Sequence, residues 1–188
     1  TPANYFHILR RQIHRDFRKP LILMTPKSLL RHKSCVSTID DMATGSSFHR
    51  VLYEDNPPCS RKDTRKLILC SGKVYYDLVE KREELGVEDV QVMRVEQLYP
   101  YPTEPLVEEL KGFRNVEKVI WCQEEPKNMG GWFFMEPNLE WTLQQIEAKH
   151  TRAQYVGRPA SASPATGLMR RHIKELEAFL DEALTLGD

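Results

Sequence analysis

The chain has 188 residues, of which 40% are hydrophobic and 29% are charged, a composition typical of a globular protein with one core and a short extension. Lysine plus arginine and aspartate plus glutamate both total 27, and this balance argues against a nucleic acid or a membrane surface as partner. No apolar run approaches the roughly 18 residues of a membrane span, and no signal peptide is expected. These features predict a protein of the cytoplasm or of an organelle matrix.

The N-terminal residues are predicted to form an amphipathic helix. Thr1 and Pro2 are a favourable N-cap and first helical residue. Apolar side chains then recur at every fourth position and are expected to pack on another surface: Tyr5, Leu9, Ile13 and Phe17. Pro20 should end the helix, and residues 21–24 are predicted to form a short buried strand. Because Thr1 stands in place of a methionine, we interpret the sequence as a processed or truncated chain.

Residues 25–64 have a different composition from the segments on either side. They mix proline, serine, aspartate and lysine with only short apolar runs, such as residues 48–53. This pattern predicts a linker followed by irregular structure with one short strand.

From residue 65 onward, strand and helix patterns alternate. Strands are predicted at 67–70, 90–95, 116–122 and 154–156. Helices are predicted at 73–85, 103–111, 138–149 and 164–186. Gly86 and Gly112 should close the first two helices, and Ser163 should cap the last one. The last helix carries an apolar stripe formed by Met169, Ile173, Leu176, Leu180 and Leu184. This order predicts a three-layer α/β/α fold with a mainly parallel sheet.

The run from Trp121 to Trp132 is a candidate site, because an apolar strand ends there in a polar, glycine-containing loop. Gly130 and Gly131 permit a positive φ or a close backbone approach. The aromatic residues 132–134 favour a buried packing or interface role over a ligand pocket. The adjacent pair at 124–125 does not suit acid/base catalysis, because neighbouring side chains of an extended segment point to opposite sides.

Other polar motifs favour structural roles over chemistry. Residues 71–73, Ser-Gly-Lys at a strand-to-helix junction, are compatible with an anion site, but a tight structural turn is the favoured interpretation. The six histidines are scattered without metal-ligand spacing, and no nucleophile motif is present. The cysteines lack C-x-x-C spacing and are predicted to be reduced and structural: Cys35, Cys59, Cys70 and Cys122.

Five segments, in order and at matching separations, resemble the C-terminal part of the 2-oxoglutarate dehydrogenase family. They are residues 25–32, 70–76, 94–100, 121–132 and 157–165. The resemblance covers essentially the whole chain. The β subunit of a branched-chain or pyruvate dehydrogenase is a less similar alternative, because the motifs KSLLRH and QEEPKN match the oxoglutarate branch better.

The resemblance implies a homodimeric, transketolase-like enzyme that requires thiamine diphosphate and Mg²⁺. Such an enzyme decarboxylates 2-oxoglutarate in the tricarboxylic acid cycle and passes succinyl to a lipoyl group of dihydrolipoyl succinyltransferase. Dihydrolipoyl dehydrogenase completes the complex. The resemblance further implies that residues 1–24 are the tail of the pyrimidine-binding domain, residues 25–64 a linker, and residues 65–188 the transketolase-like C-terminal domain.

The family's catalytic, cofactor-binding and metal-binding residues belong to earlier segments, so the resemblance assigns none to this chain. The isolated chain is therefore expected to be inactive, with a structural, dimer-forming role. Its expected interface residues are Glu124, Gly130, Gly131 and Trp132.

The alternative function is a regulatory module that binds AMP or acetyl-CoA. Resemblance to the actinobacterial branch implies a nucleotide site containing Arg11 and Gln97. The chain departs from that branch at several further positions, which weakens the expectation of acetyl-CoA binding: Ser47, Arg50, Glu104 and Pro105.

Overall fold

A computed structural model, which describes residues 1–185, divides the chain into two compact units. The N-terminal unit is Thr1–His49, and the C-terminal unit begins at Arg50. This boundary lies within the predicted linker of residues 25–64. The family-based division of the chain into a pyrimidine-binding tail, a linker and a C-terminal domain stays a prediction.

The N-terminal unit contains one α-helix, α1 (Pro2–His14), and two short 3₁₀ helices, Lys27–Arg31 and Asp40–Met42. The Thr1 hydroxyl caps α1 by accepting a hydrogen bond from the Asn4 amide at 3.2 Å, as predicted. The buried face of α1 is small and polar, because it consists of Ala3, Asn4 and His7.

The expected packing of the apolar stripe on α1 is wrong. Tyr5, Leu9 and Ile13 are exposed, and Phe17 lies beyond the end of the helix. At 3.6 residues per turn, Tyr5, Leu9 and Ile13 lie within about 80° of one another and share one face, and this face is exposed in the structure. Asn4 and His7 are buried instead, because both side chains find backbone partners.

The predicted strand at residues 21–24 is also wrong. This segment has no regular structure, and Ile22 and Met24 are 80% and 91% exposed. No strand of the described sheet pairs with it. An apolar run forms a strand only when a neighbour takes up its backbone hydrogen bonds.

The C-terminal unit is built on a five-stranded sheet with the order β1-β3-β2-β4-β5. The strands are β1 (Val51–Leu52), β2 (Lys66–Cys70), β3 (Val90–Val95), β4 (Lys118–Gln123) and β5 (Gln154–Gly157). Strand β1 runs antiparallel to β3, and the other neighbouring pairs are parallel. The single short strand expected near residues 48–53 is thus β1.

In the described part of the chain, four α-helices cover the sheet: α2 (Val74–Leu85), α3 (Thr103–Leu110), α4 (Trp132–Gln145) and α5 (Met169–Leu184). Side chains that alternate along the strands form one apolar cluster with α3 and α4 and a second with α2 and α5. The three-layer α/β/α fold with a mainly parallel sheet is therefore confirmed. Within residues 1–185, no helix combines the length and the apolarity needed to cross a membrane.

Several predicted helix ends differ from the structure. Gly86 closes α2 in the left-handed conformation as expected, with φ +63°. Gly112 does not close α3, because it lies inside a following 3₁₀ helix, Lys111–Phe113. Helix α4 begins at Trp132, six residues before its predicted start at residue 138. The helix continues through Pro137 in its second turn and does not begin after this proline. That proline removes only the hydrogen bond to the carbonyl of the exposed residue Phe133.

Helix α5 begins at Met169 and not at the predicted residue 164. Gly167 adopts a left-handed conformation, with φ +72°, which prevents a continuous helix from residue 164. The Ser163 hydroxyl donates to the Ala165 carbonyl within the preceding loop and does not cap the helix. Met169 and Ile173 of the predicted stripe are exposed. The predicted last residue of the helix, Leu186, lies outside the described residues.

Candidate functional site

The parallel strands β2, β3, β4 and β5 bring four connections to one edge of the sheet, because their carboxyl ends all point the same way. Three of these connections concern the candidate site. They are residues 71–73 after β2, residues 124–131 after β4 and residues 158–168 after β5. We call the last two the β4 loop and the β5 loop.

Gln123, the last residue of β4, holds the β4 loop in place. Its buried Oε1 accepts hydrogen bonds from Trp121 Nε1 at 2.9 Å and from the Trp132 amide at 3.0 Å. Its Nε2 donates to the Met129 carbonyl at 2.7 Å. One side chain thus links the strand, the loop and the first residue of α4. This role of Gln123 is not among the features predicted above, although a polar residue at the end of an apolar strand between two tryptophans is a detectable signal.

The two glycines of the β4 loop allow the backbone to approach this amide closely. Gly130 has φ +65°, and a Cβ atom there would lie 2.9 Å from Gln123 Nε2. A Cβ atom on Gly131 would lie 3.2 Å from both Leu98 Cδ1 and Trp121 Cζ2. The loop geometry therefore requires small residues at both positions. Their role at an interface stays a prediction.

The aromatic residues at the start of α4 have two different environments. Trp132 is only 4% exposed and packs 5.5 Å from the Tyr155 ring in the core of the C-terminal unit. Phe133 is 62% exposed, and Phe134 is also exposed. The aromatic surface that is free to contact another molecule therefore lies next to Trp132, one or two residues further along the chain.

The adjacent carboxylates are directed differently, as expected for neighbours in an extended segment. Glu124 Oε1 lies 3.3 Å from Lys73 Nζ, whereas Glu125 is exposed. Lys73 also donates to Asp77. Burial opposes charge on Lys73, but the hydrogen bond that Lys73 donates to Asp77 and the charge of Glu124 raise its pKa. Since Lys73 is paired with two carboxylates, residues 71–73 form a structural turn, in which Gly72 has φ +76°.

The β4 and β5 loops are joined by direct hydrogen bonds. The Asn128 side chain donates to the Ser161 carbonyl at 2.9 Å and accepts from the Ser161 amide at 3.0 Å. The Lys127 amide donates to the Arg158 carbonyl at 3.0 Å. The Tyr155 hydroxyl also donates to that carbonyl, at 2.6 Å, and burial raises the pKa of this tyrosine. The two loops therefore form one connected structure.

The two buried cysteines face each other across β2 and β4, since Cys70 and Cys122 are register partners. Burial raises the pKa of both thiols. All four cysteines carry free thiols, as predicted.

Arg11 and Gln97, the residues of the predicted nucleotide site, lie in different units. The Arg11 guanidinium carbon lies 4.4 Å from the centroid of the Phe48 ring, within the N-terminal unit. Gln97 follows β3 in the C-terminal unit and donates to the Pro100 carbonyl at 3.0 Å. Nucleotide binding by these residues stays a prediction.

Comparison with known proteins gives consistent matches. The family model described as "2-oxoglutarate dehydrogenase C-terminal" matches residues 36–184. The 2-oxoglutarate dehydrogenase E1 component of Brucella anthropi is 60% identical to the chain over 192 aligned residues, which cover 98% of the chain and 19% of that protein. The E1 component of Brucella ovis is 59% identical with the same coverage. The chain thus spans about a fifth of the length of these curated relatives.

Proposed function

The chain belongs to the 2-oxoglutarate dehydrogenase C-terminal family, and on that premise we propose that it is the C-terminal part of an E1 component that oxidatively decarboxylates 2-oxoglutarate. The observation that carries this proposal is 60% identity to an E1 component over 98% of the chain. The whole enzyme would use thiamine diphosphate and Mg²⁺ in the tricarboxylic acid cycle. Its partners would be dihydrolipoyl succinyltransferase, which receives the succinyl unit, and dihydrolipoyl dehydrogenase.

Within that enzyme, the role of this chain is structural. The carboxyl edge of its sheet does not fit thiamine diphosphate with Mg²⁺, because the carboxylates of Asp77 and Glu124 are paired with the Lys73 ammonium. A bound metal would have to displace that ammonium. The side chain of Gln123 is likewise occupied by the β4 loop and α4. These polar groups stabilise the fold, and the isolated chain should not turn over substrate.

Homodimer formation is supported by an exposed apolar face on α4. Phe133, Pro137 and Trp141 are exposed and spaced four residues apart, and Tyr99 lies 6.2 Å from the neighbouring ring of Phe134. Exposed aromatic side chains that cluster in this way are typical of protein interfaces. The surface supporting dimerisation is thus next to the predicted interface residue Trp132, whose own side chain supports it from beneath.

The relatives are bacterial proteins, which supports a cytoplasmic setting over the mitochondrial matrix.

A chimera tests the proposal. The C-terminal fifth of the Brucella anthropi E1 component would be replaced by this chain, and reduction of an artificial electron acceptor would be measured with 2-oxoglutarate, thiamine diphosphate and Mg²⁺. We expect activity within about tenfold of the unaltered enzyme, because the exchanged segments are 60% identical. A chimera that folds and dimerises but has no activity would contradict the proposed function.

A further inference from the structure

A cavity of about 190 Å³ lies between the β5 loop and the first turns of α5. The lining comes from both elements and from Pro126 of the β4 loop, and its polar and charged side chains are Arg158, Ser161, Ser163, Thr166, Arg171 and Glu175. The cavity is smaller than the roughly 300 Å³ at which pockets for drug-sized ligands begin. It suits a small group and not a whole nucleotide.

Arg158 is the most buried charged residue of this lining, with 8% of its surface exposed. Its buried Nε makes no hydrogen bond, and the Glu175 carboxylate is 3.5 Å away, beyond good hydrogen-bond geometry. Its Nη2 lies 2.6 Å from His172 Nδ1. A guanidinium has no acceptor, so the histidine nitrogen accepts this bond. A buried Nε–H without an acceptor is unfavourable, so the guanidinium would be stabilised if the side chain turned its Nε–H toward an anion in the cavity that Arg158 lines.

The charge of the lining is not balanced. Glu175 is shared between two guanidinium groups, because its Oε1 accepts from Arg171 Nε at 2.7 Å and its Oε2 faces Arg158. Two positive charges thus face one negative charge. Helix α5 also begins at Met169 without a side-chain cap, so the partial positive charge of its first turn lies close to Arg171 along the chain.

The hydroxyl groups of the lining differ in what they can offer a ligand. Ser163 and Thr166 donate their protons to the carbonyls of Ala165 and Leu168. Ser161 Oγ accepts a bond from the Ser163 amide at 3.2 Å, which leaves its own proton available. The donors available to a ligand therefore come from Arg158, Arg171 and Ser161.

We propose that this cavity binds a phosphate group, either as inorganic phosphate or as the end of a small phosphorylated metabolite. Guanidinium and hydroxyl donors from separate elements suit an oxyanion with several acceptor oxygens. The carboxylate of Glu175 already occupies one side of both guanidinium groups. A second planar carboxylate should therefore suit the cavity less well than a phosphate. The proposal is independent of the E1 assignment, because it uses only the geometry of this chain.

Binding should also stiffen the two loops. Ser161 is joined to Asn128, and the Arg158 carbonyl accepts from the Lys127 amide. A ligand that fixes Arg158 and Ser161 therefore restrains the β4 loop through these bonds. Hydrogen exchange of residues 124–131 and 158–168 should slow in its presence.

The test is a titration of the 188-residue chain with inorganic phosphate, followed by amide chemical shifts at constant ionic strength. Parallel titrations use glycerol 3-phosphate and succinate. We expect saturable shifts in residues 158–175 with millimolar or tighter affinity for a phosphate probe. Stronger binding of glycerol 3-phosphate identifies a phosphorylated metabolite as the ligand class, and stronger binding of inorganic phosphate identifies the free ion. Succinate should bind more weakly than either.

Two matched variants locate the site. Arg171→Gln removes an exposed side chain that lines the cavity, and Arg170→Gln removes an exposed neighbour that does not line it. Arg171→Gln should weaken phosphate binding by about tenfold or more, because a charge-assisted hydrogen bond is lost, and Arg170→Gln should change it by less than about twofold. Arg158→Lys, which keeps the charge but removes Nε–H, should also weaken binding. No saturable binding by the wild type, or equal effects of the Arg170 and Arg171 variants, would overturn the proposal.

Discussion

The two units of this chain are stabilised by different interactions. The C-terminal unit buries apolar side chains on both faces of a parallel sheet, in two separate clusters. The N-terminal unit buries a small polar face, in which Asn4 and His7 bond to backbone groups of the segment that follows. Most of its large apolar side chains are exposed. Burial of apolar area should therefore control stability in the C-terminal unit, and side-chain hydrogen bonds should control order in the N-terminal unit.

The largest expected effect is on the apolar core of the C-terminal unit. Leu69→Ala, in the middle of the fully buried strand β2, should lower the free energy of unfolding by about 3–5 kcal/mol because it leaves a cavity. Ile22→Ala, at an exposed position of the N-terminal unit, should change it by less than about 0.5 kcal/mol. Urea unfolding should be followed by far-UV circular dichroism, which reports on both units, and by tryptophan fluorescence, which reports on the C-terminal unit alone because all three tryptophans lie there. Similar effects of the two changes would contradict the claim that burial of apolar area controls stability in the C-terminal unit and not in the N-terminal unit.

The second effect concerns the one polar side chain that organises the carboxyl edge. Gln123→Ala should cost about 3 kcal/mol, because the Trp121 indole, the Trp132 amide and the Met129 carbonyl all lose a buried partner. Gln154→Ala, on the exposed side of β5, is the matched control and should cost less than about 0.5 kcal/mol. The measurement is again tryptophan fluorescence in urea. A neutral Gln123 variant would show that the β4 loop does not depend on this amide.

The third effect is a pH dependence caused by a buried lysine. Lys66 is 1% exposed and donates to the carbonyls of Ala183 and Thr185 at the end of α5. Burial, with the charge of Lys118, lowers the pKa of Lys66 from 10.5 to about 8. Between those pH values the unfolded chain holds more protons than the folded chain, so the stability contributed at this site rises with pH.

The measured quantity is the difference in unfolding free energy between the wild type and Lys66→Met. We expect it to shift by about 2 kcal/mol in favour of the wild type between pH 7 and 10. The buried thiols act in the opposite direction, since their raised pKa makes stability fall as the unfolded thiols ionise. They are present in both proteins and cancel in the difference. A flat difference across this range would show that the Lys66 ammonium is not desolvated.

The smallest effect lies in the N-terminal unit. Asn4 Nδ2 donates to the His49 carbonyl at 2.9 Å, and its Oδ1 accepts from the His49 amide at 3.0 Å. Asn4→Ala should cost about 1 kcal/mol and speed hydrogen exchange at residue 49 by roughly tenfold. Ser47→Ala, at an exposed position of the same segment, should leave exchange there unchanged. Unfolding followed by tryptophan fluorescence should not respond to either change.

The difference between the two units also explains which structural elements can be predicted from the sequence. The predicted ends of strands β2 and β3 lie within one residue of the observed ends, because both strands are rich in apolar residues, although β3 also buries Gln91 and Arg94. The segment at residues 21–24 has a similar local pattern but pairs with no strand among residues 1–185, and a local pattern does not reveal pairing. The predicted start of α5 is wrong because Ser163 and Pro164 form a good helix start, although Gly167, which is left-handed in the structure, is a helix-breaking residue that the sequence already shows.

The candidate site shows the same limit. Gly130 and Gly131 were recognised from the sequence as positions that permit close approach, because glycine has a known conformational use. The bonds that join the two loops were not predicted. Asn128 and Ser161 are 33 residues apart, and only the order of the strands brings them together. The unpaired Nε of Arg158 likewise depends on how α5 packs beside β5.

The central claim is that the polar groups at the carboxyl edge of this chain stabilise structure and perform no chemistry. The most direct test is turnover by the isolated 188-residue chain with 2-oxoglutarate, thiamine diphosphate, Mg²⁺ and an artificial electron acceptor, with the Brucella anthropi chimera as positive control. Circular dichroism should first establish that the isolated chain is folded. We expect no turnover by the isolated chain above a sample without protein, while the chimera is active. Turnover by the isolated chain that is lost in Glu124→Gln would contradict it.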